Sequence, residues 1–184
     1  MLLSSASGPR LHGRLSSNVR PRIPPVLTLR MNLPSVVIRA PTHGDYAAWR
    51  PLWDGYNEFY GRHGATALPE NITEATWKRF FDPTEPMFAL LAEEQGRIVG
   101  LAHYLFHRSM TKIEPVCYLS DLFTLPTLRG HGIGRSLIEA VCAQAKLAGA
   151  SRVYWQTHDS NAAGRQLYDK VAKHLGFIVY SRDP

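Results

Sequence analysis

Two stretches of this chain carry residue types at spacings that can do chemistry. The first is Arg129, Gly130, His131, Gly132, Ile133, Gly134, Arg135 and Ser136, which follows an apolar run from Tyr118 to Leu125 and a break at Pro126. A strand that feeds a glycine-spaced turn and then opens a helix forms an anion site. Glycine lets the backbone come close to a ligand, and the first helical N–H groups have no partner within the helix. A phosphate is therefore expected there. A Walker loop would need Gly-Lys before Ser or Thr, whereas Gly134 is followed by Arg135. A dinucleotide fingerprint would need an acidic residue about 20 positions on, and the region near Arg152 is basic. What remains is Arg-x-x-Gly-x-Gly behind a strand and a proline.

The second stretch is Asp54 and Glu58, four apart, with Tyr56 and Tyr60 nearby. A carboxylate pair beside aromatic rings can hold a cationic amine; the same spacing also describes an ordinary solvated helix face. His103 and His107 alternate along a strand, but no third ligand has fitting spacing, so no metal site is expected. His103 stays a candidate for the substrate groove. Cys117 and Cys142 form neither a disulfide framework nor a metal pair and read as buried thiols of a reducing compartment.

The elements that must position these residues follow from periodicity. Ser35 to Pro41 is a short β-branched strand. Thr42 or Asp45 caps a helix with apolar residues Tyr46, Trp49, Leu52, Trp53, Tyr56 and Phe59, which Pro51 is expected to break or kink. A short second helix, capped by Asn71 or Thr73, buries Trp77, Phe80 and Phe81. Strands then run from Pro86 to Glu94, from Arg97 to Met110 after the Gln95-Gly96 turn, and from Tyr118 to Leu125. A helix covers Ser136 to Ala150, and a strand covers Arg152 to Thr157. Asn161 starts a helix that carries Leu167, Tyr168, Val171 and Leu175, and Gly176 to Tyr180 is the last strand. The order β-α-α-β-β-β-α-β-α-β describes an α/β layer fold without internal repeats.

With 184 residues the chain suffices for one domain with a proper core. No run of about 20 apolar residues exists to span a bilayer, so a soluble, cytoplasmic protein is expected. The net charge of +6 is unevenly placed. Residues 1–30 hold five arginines and no acid, which leaves 16 basic against 15 acidic residues in the rest. The domain is nearly neutral, which argues against a nucleic-acid surface. The Ser-, Pro- and Arg-rich first 30 residues read as a disordered or non-native extension. They are either an organelle transit peptide or sequence upstream of a start at Met31, and the domain takes residues 31–184.

The glycine loop resembles the pyrophosphate loop of the GCN5-related N-acetyltransferases (GNAT), with Arg129, Gly132 and Gly134 at its fixed positions. A second signature of that family follows in order: Asn161, then Tyr168 seven residues on, then Gly176-Phe177. The match runs from about Val36 to Tyr180. It is similar to the branch of yeast histone and polyamine acetyltransferases through Leu52-Trp53-x-Gly55-Tyr56, Thr76-Trp77, Tyr118 to Phe123, Val153-Tyr154-Trp155 and Tyr168 to Ala172.

The resemblance implies a mixed, mostly antiparallel central sheet flanked by helices and splayed at the central strand. It also implies an acetyl-CoA-dependent acetyltransferase without a metal, in which a primary amine attacks the thioester directly in a ternary complex. The acceptor would be a polyamine-like small molecule or amino acid, or a protein lysine. Loop amides from Leu128 to Gly134, with Arg135 and Ser136, would hold the pyrophosphate, and the edge Leu122-Phe123-Thr124 would pair with the pantetheine arm. Asn161 would contact that arm, and Tyr168 would protonate the thiolate.

Relatives commonly carry Glu-Asp where this chain has Ser120-Asp121, so the expected general base is missing. Asp121, or a water chain through Ser120, would take over. Asp54, Glu58, Tyr56 and Asp121 are the residues expected to select the amine. A catalytically weak acyl-CoA-binding sensor is the alternative. The short C-terminus suggests a sheet edge closed by a second copy, as a homodimer.

Overall fold

The computed structural model describes residues 29–30 and 36–184. Its six-stranded sheet runs in chain order: β1 (Leu29–Arg30), β2 (Val36–Arg39), β3 (Met87–Glu94), β4 (Arg97–Ser109), β5 (Lys112–Thr124) and β6 (Val153–Tyr154). All neighbours are antiparallel except β5 and β6, which are parallel. Four helices flank it: α1 (Tyr46–Phe59), α2 (Glu70–Arg79), α3 (Ile133–Leu147) and α4 (Ala162–Val171). β1 pairs Leu29 with Ile38, so the sheet takes in two residues before Met31. The rest of the expected N-terminal extension lies outside the described residues.

β4 is buried without a break from Ile98 to Tyr104, because helices cover both faces of the sheet at this point. One core joins Leu90, Val99, Ala102 and Tyr104 to Leu137, Ile138 and Val141 of α3, with Leu167, Tyr168 and Val171 of α4 packed against it. The other joins Leu91, Leu101 and Phe123 to Trp49, Leu52, Trp53 and Tyr56 of α1 and to Trp77 of α2. The mixed, mostly antiparallel sheet with flanking helices is as the sequence implied. The splay is present too: β5 and β6 pair only at Cys117 with Val153 and Tyr118 with Tyr154, although β5 continues to Thr124.

Several boundaries differ from the sequence reading. α1 passes through Pro51 unbroken. Pro51 lies in the second turn and forfeits one bond there, while the buried face of Trp49, Leu52, Trp53 and Tyr56 holds the helix on both sides. α2 starts behind Pro69. Thr73 is buried in it and accepts a hydrogen bond from Trp53 Nε1 at 3.2 Å, so it is not the cap. β5 begins at Lys112, not Tyr118; its first three residues, Lys112 to Glu114, are exposed, and Pro115 interrupts the apolar alternation. Leu175 is exposed, and the run from Gly176 to Tyr180 forms no strand, with Phe177 82% and Tyr180 86% exposed. Periodicity gives the apolar run but not a sheet edge to receive it. Cys117 is buried as expected; Cys142 is exposed.

Candidate active site

The glycine loop leaves helix amides open at the start of α3. Gly130 and Gly132 have φ of +83° and +84°, and Gly132 is the residue that starts α3. The Ser136 N–H already donates to Gly132 O at 3.0 Å, which leaves the Ile133, Gly134 and Arg135 amides without partners inside the helix. Ser136, expected among the pyrophosphate ligands, is buried, and its amide is engaged within the helix. At Gly134 α3 and α4 pack closely: a Cβ there would stand 3.2 Å from Leu167 Cδ2. Arg129 turns back over Phe59 and Phe123, 5.9 Å from each ring centroid, and His131 is exposed. Gly132→Ala forces a side chain into left-handed backbone at a cost of about 1 kcal/mol. The expected outcome is a several-fold higher KM for acetyl-CoA with kcat nearly unchanged, measured by thiol release.

The open edge of β5 is set by a bulge. The register with β4 shifts between His103–Asp121 and Tyr104–Leu119, so Ser120 is the extra residue. Before it, the Cys117 N–H faces β6 and donates to Arg152 O at 3.0 Å; after it, the Leu125 N–H faces β4 and donates to Val99 O at 3.0 Å. Strand alternation then turns the peptide groups of Leu122 and Thr124 to the open side and that of Phe123 towards β4. Of the three expected pantetheine partners, two offer their backbone. Phe123 instead packs its ring into the α1 core.

Where β5 and β6 part, a narrow cleft is lined by Tyr56, Tyr60, Leu119, Ser120, Leu122, Trp155, Gln156 and Tyr168. It thus brings together Tyr168 and Ser120, both expected at the reaction centre. Tyr168 lies edge-on to Trp155 at 5.5 Å, and burial beside Tyr60 pushes its hydroxyl up to about 12. Asn161 caps α4: its Oδ1 accepts from the Gly164 amide at 3.0 Å, and its Nδ2 donates to Thr157 Oγ1 at 2.9 Å.

Asp121 sits behind the cleft, mostly buried. It accepts from His103 Nδ1 at 3.0 Å and from the hydroxyls of Tyr56 and Ser120. The indole of Trp49 can only donate, and it donates to His103 Nε2 at 3.0 Å, so the ring proton sits on Nδ1 and points at Asp121. His103 is only 2% exposed and faces α1, not the groove where it was a candidate. Burial opposes the Asp121 charge, but the hydrogen bonds from His103, Tyr56 and Ser120 outweigh it and hold the carboxyl below its ordinary value. A carboxylate so satisfied is a weak base. Tyr56, raised by burial and by this neighbour, keeps its proton and donates it to Asp121.

The structure does not unite the remaining candidates. Asp54 is exposed and held by Arg50 at 2.9 Å, and Arg50 also pairs with Glu70. Glu58, one turn on, is exposed too. Two residues along a helix are about 200° apart, so Tyr56 turns inward while Asp54 turns to solvent. Gln156 and the Trp49–His103 pair escaped the sequence reading. Tyr60, named there as an aromatic neighbour of the carboxylates, follows Tyr56 by four, one residue past the end of α1, and lines the cleft instead.

A model of the acetyltransferase (GNAT) family matches residues 49–177. The D-amino-acid N-acetyltransferase HPA3 of Saccharomyces cerevisiae is 36% identical over 150 residues, covering 80% of this chain and 91% of its own. The N-acetyltransferase YhfO of Bacillus subtilis is 31% identical over 145 residues, covering 78% and 94%. Among solved structures, AAC(6')-Iy in complex with the bisubstrate analog CoA-S-monomethyl-acetylneamine superposes with a TM-score of 0.70 at 18% identity, covering 81% of this chain and 98% of its own.

Proposed function

This chain belongs to the GNAT acetyltransferase family and is an acetyl-CoA-dependent N-acetyltransferase, and on that premise we propose that it acetylates the primary amine of a small amino acid by direct attack in a ternary complex. The observation that carries the proposal is the cleft at the β5–β6 splay, where Tyr168 and Ser120 stand beside the open peptide edge of β5. The cleft lining is aromatic, hydroxylic and apolar apart from the Gln156 amide, without a carboxylate, and Asp121 behind it is already satisfied. That favours an amino acid over a polyamine, which would need free carboxylates for its further charges. The name of the yeast relative, a D-amino-acid N-acetyltransferase, points the same way.

The proposed roles follow the chain. Loop amides up to Arg135 hold the pyrophosphate. Leu122 and Thr124 pair with the pantetheine arm, and one of their N–H groups polarises the thioester carbonyl. The amine lone pair attacks the carbonyl carbon, the C–S bond breaks, the nitrogen loses one proton and sulphur gains one. Tyr168 donates to the departing thiolate. Ser120, its own proton directed at Asp121, offers its lone pairs to an N–H of the amine.

A covalent route is disfavoured, since burial pushes the Cys117 thiol up to about 12 and its thiolate is scarce. The two free cysteines suit a reducing cytoplasm. The exposed apolar run from Phe177 to Tyr180 suits closure against a second copy.

The test is thiol release by the full chain with acetyl-CoA against D- and L-amino acids, polyamines and lysine peptides, over a range of pH. Asp121, held low, stays ionised at neutral pH, and Tyr168, near 12, stays protonated. Neither titrates between about pH 6 and 10, so kcat/KM rises about tenfold per pH unit up to the pKa of the acceptor amine. Acceptors of different amine pKa should move that inflection with them. An inflection fixed at one pH for every acceptor would instead mark a protein base.

A further inference from the structure

Arg62 follows α1 and is held in place by its neighbours. Its backbone N–H donates to Asn57 O at 2.9 Å, and its Nε donates to Asn57 Oδ1 at 2.7 Å. Asn57 is only 4% exposed, and its own Nδ2 donates to Trp53 O at 2.8 Å, so the clamp is anchored in the core. The guanidinium carbon stands 5.6 Å from the ring centroid of Tyr56 and 5.5 Å from that of Tyr60, and both rings line the cleft. Its charge works against the effect of Asp121 on the Tyr56 hydroxyl.

With Nε engaged, the Nη1 and Nη2 groups have no acceptor among the described residues. Asp54 is taken by Arg50, and Glu58, one turn back, forms no ion pair with Arg62. This is a guanidinium fixed at its base, backed by two aromatic rings and open at its fork. Such a fork matches the two oxygens of a carboxylate. We propose that Arg62 binds the α-carboxylate of the acceptor and thereby selects amino acids over plain amines and polyamines. The proposal rests on the amino-acid reading above and adds the residue that enforces it. Tyr56 and Tyr60, the rings that back this guanidinium, also line the cleft that holds Ser120 and Tyr168. An acceptor whose amine and carboxylate share one carbon would lie against these two rings, its carboxylate towards Arg62 and its amine towards Ser120 and Tyr168.

The experiment compares kcat/KM of the full chain for D-phenylalanine and for D-phenylalaninamide, which keeps the amine and lacks the negative charge. Above the amine pKa of both acceptors, where each is neutral, the wild type should prefer the acid. In Arg62→Met that preference falls about tenfold or more, and Arg62→Lys, which keeps the charge without the fork, falls between. Because acid and amide are compared within one variant, a reduced fraction of folded protein cancels. A wild type that acetylates amino acids, with Arg62→Met keeping the wild-type preference, overturns the role of Arg62 alone. A wild type that acetylates polyamines or peptide lysines but no amino acid overturns the acceptor reading and this proposal with it.

Discussion

Replacing Tyr168 with phenylalanine should lower kcat about a hundredfold while leaving acetyl-CoA binding intact. The change removes one oxygen and keeps the ring that packs edge-on against Trp155 at 5.5 Å and supports α4 on the sheet. What is lost is a donor aimed into the cleft. Its value depends on the proton balance. Burial and Tyr60 push Tyr168 up to about 12, so it is protonated at every working pH. A thiolate with a pKa of about 8.5 is a much weaker base than this tyrosinate, and complete transfer from Tyr168 alone would be uphill by about 5 kcal/mol. The favourable course is donation of a hydrogen bond to sulphur as the C–S bond stretches. The proton that sulphur finally keeps is balanced by the one nitrogen loses. Thiol release gives kcat, and calorimetric titration gives acetyl-CoA affinity. A kcat within twofold of wild type would remove Tyr168 from the mechanism, and a parallel loss of acetyl-CoA binding would make its role structural.

The features of this site that were legible in the sequence are local ones. Gly130 and Gly132 announce left-handed backbone at a strand-to-helix turn, and their φ values of +83° and +84° bear this out. Asn161 announces a helix start and caps α4. The Gln95-Gly96 turn closes the expected hairpin between β3 and β4. The hidden features depend on partners far away in the chain. Trp49 reaches His103 across 54 positions, and His103 reaches Asp121 across 18, so nothing near His103 in the sequence separates a groove residue from a buried relay. The bulge at Ser120 is equally silent, since an alternating strand pattern contains no mark for one extra residue. That one residue turns the open peptide groups to Leu122 and Thr124. The pairing of Asp54 with Tyr56 failed for a simpler reason: closeness in sequence was taken for a shared helix face, whereas two steps along a helix reach nearly the opposite side.

Asp121→Asn tests the buried end of the site and is expected to be the most destabilising single change considered, by about 3 kcal/mol. Three donors converge on this carboxylate: His103 Nδ1 at 3.0 Å and the hydroxyls of Tyr56 and Ser120. Asparagine presents one oxygen and one NH2 in the same space. The Tyr56 and Ser120 hydroxyls can rotate, but His103 cannot exchange tautomers, because the Trp49 indole occupies Nε2 at 3.0 Å and can only donate. The amide oxygen must therefore face His103, and its NH2 is driven against the remaining donors. For a domain of this size the melting temperature should drop by about 6–12 °C.

The effect should also depend on pH with a definite sign. The folded-state pKa of Asp121 lies below the ordinary carboxylate value, so its contribution is complete above about 3.9 and is lost as pH falls through the lower folded value. The gap between wild type and Asp121→Asn should be constant from neutral pH down to about 5 and narrow below about 4. Turnover should fall as well, because Ser120 and Tyr56 lose the acceptor that orients them, while acetyl-CoA affinity should change little. Denaturant unfolding of both proteins at pH 7 and at pH 3 decides the matter. Equal stability at pH 7 would mean that Asp121 is not the anchor of this network, and an undiminished gap at pH 3 would mean that its charge is not what holds the network together.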